Sequence, residues 1–386
     1  MWSKVLLVCL LLGLGLFFSL PSAPRPDARE MLRTSWNTYK AKFIQADGRV
    51  IDWRGGQITT SEGQSYAMLR AVWIDDRETF DRTRLWANNN LRVNGTALYA
   101  WKWGRRDDGS WGTLNLGAAS DADQDIAYAL LLAARRWRAP EYEAEARTLL
   151  NDLWKLTVVE SPIGPILTAG DWAAKQPQPA INPSYLAPYA YRLFATVDRD
   201  HPWLKMVDAS YEILNRSAAL SPVGLVPDWC QLERATGRVL PAPASDFPEG
   251  TGHSYDAWRA AWRIAFDAQI APKSDSRAAK FLQSHRFVLD YWRRHQHLPE
   301  GFRADGSQRT DIANIAAFGC SLPAFAAVDP TVAKQLYTQE MLGGYERLNR
   351  SGAWGDPLDY YGQNWMWLGI ALYADSGAIT KLVPSS

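Results

Sequence analysis

Only three cysteines occur in the 386 residues, at positions 9, 230 and 320, with no C-x-x-C pair and no Cys/His spacing of a zinc site. A structural metal centre is therefore excluded as the organising element, and no cofactor motif replaces it. Cys230 and Cys320 admit either a bridge in an oxidising compartment or two buried thiols. Charge of one sign is also missing: the formal net charge is +1 and no run of Lys or Arg exceeds two residues. That excludes the basic footprint by which proteins bind nucleic acid. Alternating Val/Ile/Thr runs are scarce, with 157–168 the best and 49–51 a short second, so the sheet content is expected to be small. No linker long enough to divide the chain follows residue 30.

What the chain has in excess is aromatic surface, with 19 Trp and 16 Tyr, inside a composition that is 47% hydrophobic and 22% charged. Such a chain buries a large core and has no compositional reason to be disordered. Flat rings with a polar edge also suit the apolar faces of pyranose sugars, while packing among helices accounts for the rest.

Residues 5–20, VLLVCLLLGLGLFFSL, follow the single Lys4 and precede PSAPRPDAR. This reads as an export segment, short for a full membrane span of ~20 residues and long for the ~7–15 of a cleaved signal core. Pro24 after Ala23 disfavours cleavage, so an uncleaved membrane anchor competes with release. Cys9 as a lipid-attachment site is weak because the bulky Val8 precedes it. The division expected is 1–30 for the signal or anchor and 31–380 for one domain outside the cytoplasm, periplasmic or secreted.

Periodicity near 3.6 predicts helices over 64–74, 78–91, 122–137, 141–155, 183–195, 201–216, 254–268, 275–294, 311–325, 330–346 and 359–375. These alternate with loops rich in Gly, Pro, Asp and Trp. The fold class expected is all-α, one domain of consecutive helical hairpins with little β structure.

Three segments place carboxylates beside small and aromatic residues. In ASDADQDIAYALLLAARRW, residues 119–137, Asp121, Asp123 and Asp125 run into an apolar helix with no basic residue among them. They read as a helix start capped by Ser120 or Asp121, as a metal loop, or as carbohydrate chemistry. The metal reading fails, because an EF-hand loop needs Gly at its sixth position and an acid at its twelfth, where Ile126 and Leu132 stand. In TTSEGQSYAM, residues 59–68, Glu62 has the capping residues Thr60 and Ser61 before it. In GHSYDAWRAAWR, residues 252–263, Asp256 lies three residues before Arg259, an exposed pair worth only ~0.2–0.5 kcal/mol. Each has an ordinary structural explanation. Together, in an exported and Trp-rich chain, they read as a site, since glycoside hydrolysis needs one carboxylic acid and one carboxylate.

The stretch 119–137 resembles the signature of glycoside hydrolase family 8. AWKWG at 100–104, INPSYLAP at 181–188, PDW at 227–229, SYDAWR at 254–259 and YYGQNWMWLG at 360–369 continue the likeness over about residues 31–376. Their order and spacing look most like the endoglucanases encoded with bacterial cellulose synthases. The resemblance implies an (α/α)6 barrel with an open groove for a β-1,4-linked polymer, Glu62 as general acid, Asp256 as the base that activates water with inversion, and Asp121 as the carboxylate that holds the sugar. It adds Tyr255 and Arg259 around the base, Trp101 as a sugar platform, and Trp103, Tyr185 and Tyr361 as further substrate contacts, with Trp172 a lesser candidate. Of Trp101 and Trp103, which alternate in an extended segment, one should face the groove and one the core. Trp137, Trp262 and Trp365 are expected in the core. The partners implied are the polysaccharide and, through the likeness, a membrane-bound exopolysaccharide synthase.

The extra Trp and Arg of 252–266 and the PAPASDFPEG run of loop 221–251 depart from the cellulase pattern. They leave a glucosamine-containing β-1,4 polymer or xylan open as substrate. A glycan-binding protein without catalysis is the competing class, and the presence of all three carboxylates argues against it.

Overall fold

The computed structural model describes residues 26–248 and 250–384. The export segment read at 5–20, with Cys9, lies outside the described residues. No helix among the described residues is long and apolar enough to cross a membrane.

Six helices, Ser61–Ile74, Ser120–Trp137, Pro188–Val197, Trp258–Ile270, Ile315–Val328 and Tyr360–Ala374, pack side by side in chain order, and the last returns to the first. Each pairs with an antiparallel outer helix: Arg77–Asn90, Pro140–Thr157, Trp203–Ala218, Arg277–Ser284, Pro330–Leu336 and, closing the ring, Ala28–Phe43 against the last inner helix. This is an (α/α)6 barrel. The burial pattern explains the two layers. The inner helix from Ser120 is buried at every position as far as Ala134, whereas Pro140–Thr157 buries one stripe through Tyr142, Ala146, Leu149, Leu150 and Leu153. A helix apolar all round must be enclosed, and one with a single apolar stripe covers it.

Capping sets the helix starts. Thr60 Oγ1 accepts from the Gly63 amide at 2.9 Å, Asp76 from Thr79 at 3.0 Å, Asn314 from Ala316 at 2.9 Å and Asp359 from Gly362 at 2.9 Å. The helix at Ser120 has no such cap; the Ser120 hydroxyl instead donates to the Thr168 carbonyl at 2.5 Å.

Several expected boundaries shift. The segment expected as one helix over 275–294 breaks into Arg277–Ser284 and Phe287–His295, where His285 bonds the Phe281 carbonyl through both its backbone amide and its ring Nδ1. The expected 330–346 helix contains a π-turn over Tyr337–Leu342. The outer helix Ala28–Phe43, not predicted, starts ahead of the expected domain boundary at 31. The strand run 157–168 forms the hairpin Val158–Ser161 with Gly164–Leu167. The antiparallel pairs Ala100–Arg105 with Trp111–Ala118 and Cys230–Glu233 with Arg238–Pro241 were not predicted, because they are short loop ribbons with one half-exposed face.

Trp262 and Trp365 are in the core, Trp137 packs against it half-buried, and Cys230 and Cys320 are separate buried thiols. One close approach in the core depends on glycine. A Cβ on Gly369 would lie 2.1 Å from the Gly319 carbonyl oxygen, and one on Gly319 would lie 2.1 Å from the Trp365 carbonyl oxygen. Pro323, four residues after Gly319, has no amide proton to give that carbonyl, so the opposing helix can press against it. Gly369→Ala is expected to destabilise the barrel by about 1–3 kcal/mol, read as a lower urea midpoint at unchanged slope. An unaltered midpoint would show that the two helices can separate freely.

Candidate active site

All six inner helices run in one direction, so their N-termini share one end of the barrel. Glu62 is the second residue of Ser61–Ile74 and Asp121 the second of Ser120–Trp137, while Asp256 occupies the turn before Trp258–Ile270. The positive ends of the helix dipoles there favour anionic side chains. Arg259, from the first turn of the fourth inner helix, reaches into the same space.

Its guanidinium joins all three acids. Nη1 donates to Glu62 Oε2 at 2.6 Å and to Asp121 Oδ2 at 2.8 Å, and Nη2 donates to Asp256 Oδ1 at 2.5 Å. The Arg259 and Asp121 side chains are 0% and 2% exposed, against 22% for Glu62 and 30% for Asp256. The two acids expected to handle protons therefore reach solvent, and Asp121, expected to hold the sugar, lies beneath. Tyr66 OH also accepts from Arg259, at 3.3 Å, and the Tyr185 ring lies 5.2 Å from the guanidinium.

One cation cannot neutralise three crowded carboxylates. Burial raises Glu62 most, Arg259 pulls it down, and the charges of Asp121 and Asp256 raise it again, leaving it pushed up to about 7. Asp121 and Asp256 are raised too, chiefly by burial and against the pull of Arg259. Interactions with the Asn182 and Trp229 side chains lower Asp256 in part. Close to neutral pH, a Glu62 carboxyl raised to about 7 can hold a proton.

The acidic cluster of 121–125 divides by direction. Asp121 enters the site. Asp123 Oδ1 accepts from the Tyr99 amide at 2.9 Å, at the base of the strand carrying Trp101. Asp125 forms a two-pronged pair with Arg263, both bonds 2.8 Å, and Arg263 also donates to Tyr189 OH at 2.8 Å.

Two open cavities flank the carboxylates. One of about 750 Å³ is lined by Trp101, Trp172, Tyr185, Trp229 and Leu116. The other, about 430 Å³, is lined by Tyr255, Tyr360, Tyr361, Glu300 and Ile312. Ala119, two residues before Asp121, lines the first and Tyr255, next to Asp256, lines the second, so aromatic rings stand near the acids in both. A family model for Glycosyl hydrolases family 8 matches residues 22–372.

The chain belongs to glycosyl hydrolase family 8.

Among its relatives, the endoglucanase of Escherichia coli (strain K12) is 31% identical over 298 residues, 76% of this chain and 75% of that one. The endo-1,4-D-glucanase of Vibrio fischeri ES114 superposes with a TM-score of 0.75 at 26% identity, over 88% of this chain and 94% of that one. The endo-beta-1,4-glucanase CMCax of Acetobacter xylinum shares the fold, with a TM-score of 0.71 at 22% identity over 90% and 99% of the two chains. This family-8 protein is thus a glycoside hydrolase.

Not every residue expected in the groove is there. Trp101 lines the larger cavity, but Trp103 is held between Trp86 and Trp111, with ring centroids 5.3 Å from each and the Arg49 guanidinium 4.5 Å away. Of that pair, Trp103 is the one packed against the core. Tyr255 is half-exposed, donates to Glu300 Oε1 at 2.8 Å and packs edge-on to Tyr361. Tyr361 OH donates to the Tyr255 carbonyl at 2.5 Å, tying the last inner helix to the turn of Asp256. Three residues not singled out also sit at the site: Tyr360, whose hydroxyl lies 3.3 Å from Glu62 Oε1, and Asn182 and Trp229 beside Asp256. Each stands inside a family motif, and that was the available signal.

Proposed function

We propose that this family-8 hydrolase is an exported endo-β-1,4-glucanase, acting on cellulose or a related exopolysaccharide by inversion. The observation that carries the reading is one buried guanidinium joining three carboxylates, of which solvent-reaching Glu62 is held near pKa 7.

In this reading Glu62 gives its proton to the glycosidic oxygen as the C1–O bond breaks. Asp256 takes a proton from a water whose oxygen attacks C1 on the opposite face. Asp121, fixed by Arg259 and nearly inaccessible, holds a hydroxyl of the sugar at the cleavage point. Trp101, Trp172 and Tyr185 on one side, and Tyr255 and Tyr361 on the other, support the chain by their ring faces. Export, and work beside a membrane-bound synthase, rest on the apolar segment 5–20 and on the motif order described above.

Proton NMR of the first products from a panel of β-1,4 polymers tests substrate, endo action and stereochemistry together. The expected initial product is the α-anomer from a soluble β-1,4-glucan, with oligosaccharides of mixed length. Initial β-anomer would overturn the inverting assignment, and release from xylan or a glucosamine polymer alone would overturn the substrate.

A further inference from the structure

Asp228 is a buried carboxylate to which the proton transfers above give no part. It ends the loop before strand Cys230–Glu233, and its own amide bonds the Gly252 carbonyl at 2.7 Å. Its side chain reaches across to the turn that carries Asp256. Oδ1 accepts from the Ser254 amide at 2.9 Å and from the Ala257 amide at 2.8 Å, and Oδ2 accepts from the Ser254 hydroxyl. The bonded residues bracket Asp256 on both sides. The helix that follows begins at Trp258 without any side-chain cap of its own, so Asp228 supplies from a distant loop what a local capping residue would supply.

We propose that Asp228 is a positioning residue for hydrolysis: its carboxylate pins the 254–257 turn through three hydrogen bonds and so aims Asp256 at the attacking water.

The clamp has an electrostatic consequence, which follows from the groups around the two acids. Asp256 faces Arg259, which favours its ionised form, and Asp228, whose negative charge opposes it; side-chain hydrogen bonds with Asn182 and Trp229 favour the ionised form in part. The charges of Asp256, Asp121 and Glu62 in turn act on Tyr185, and those of Glu62 and Asp256 on Tyr361. Asp228 itself is raised by burial and lowered by its three hydrogen bonds and by Arg309. His253, next to the turn, is held neutral by burial, lowered to about 4, with Nδ1 on the Val226 carbonyl. The inference rests on Asp256 being the base.

The test is the pH profile of kcat/KM for Asp228→Asn, with Ser254→Ala and Asp256→Asn beside it. Asp228→Asn keeps the shape but loses the charge. Its kcat should fall about 10–100-fold, the cost of a small misplacement of a reacting group, with KM changed less than about threefold. Its acidic limb should move to lower pH, because Asp256 then ionises without a like charge beside it. Ser254→Ala removes one bond and no charge, so it should lose less kcat and leave the limb in place; it keeps the proposal testable if Asp228→Asn folds poorly. A wild-type kcat and limb in Asp228→Asn would overturn the proposal, as would a limb moved to higher pH. If Asp256→Asn stays active while Asp228→Asn is inactive at every pH, the base has been misassigned, and the function reading fails there rather than the clamp.

Discussion

Glu62→Gln is expected to lower kcat on a soluble β-1,4-glucan by about 10²–10⁴-fold while the protein becomes more stable above neutral pH. The two effects share one cause. Glu62 is raised from 4.5 to about 7 by burial and by Asp121 and Asp256, which makes it a proton donor near neutrality. A carboxyl raised in the folded state favours folding below its unfolded pKa, and that contribution is lost as pH rises through the folded value. Between about pH 4.5 and 7 the wild-type protein therefore loses stability that the neutral amide retains. At pH 8 the variant should be more stable by on the order of 3 kcal/mol, and below pH 4.5 the two should converge. Urea denaturation at pH 4 and pH 8 measures this. A variant that keeps wild-type reducing-end release would remove Glu62 as the acid; one that loses stability at pH 8 would show that the Arg259 bond outweighs burial. In the wild type, the same value predicts an alkaline limb of kcat/KM near pH 7.

Arg259→Met is expected to have the largest effect on stability. It leaves Asp121, Glu62 and Asp256 without their shared cation, and breaking a buried ion cluster from one side costs about 3–5 kcal/mol. The carboxyls would then rise further in pKa, so the loss should be full near neutral pH and shrink as falling pH protonates them. Arg259→Lys separates charge from geometry. One ammonium can meet one or two carboxylates but cannot span all three as a planar fork does. It should keep more stability than Arg259→Met and still lose most activity, read as kcat against KM at matched folded fraction. Equal stability of Arg259→Met and wild type at pH 7 would show that the three acids do not depend on this cation for the stability of the fold.

The sequence-to-site relation differs from residue to residue. Glu62, Asp121 and Asp256 were legible because each stands in a family motif beside a helix start, where acids belong on elementary grounds. Arg259 was legible as a neighbour of Asp256 three residues on, and its local reading was an exposed pair worth little. In the barrel it is wholly buried and bonds two acids more than 130 residues away in the chain, as the separations of 138 and 197 show. Asp228 stands in the PDW motif, but nothing local tied it to Asp256, since its partners lie 26 and 29 residues ahead in a different loop. Trp101 and Trp103 have the same composition around them, and only the ribbon against Trp86 and Trp111 decides which of them faces the groove.

By itself the sequence determined most of the helices through their 3.6-residue periodicity, the carboxylates at three helix starts, and the aromatic excess that suits sugars. These follow from short-range rules: periodicity, capping and the preference of acids for helix N-termini. Only the tertiary structure decided that the helix starts meet. The ring closes when Tyr360–Ala374 returns to Ser61–Ile74, and that closure, a matter of long-range packing, puts three carboxylates on one guanidinium. A pKa near 7 at Glu62 arises from that meeting, because desolvation and like charge act over a few ångströms of space and not along the chain.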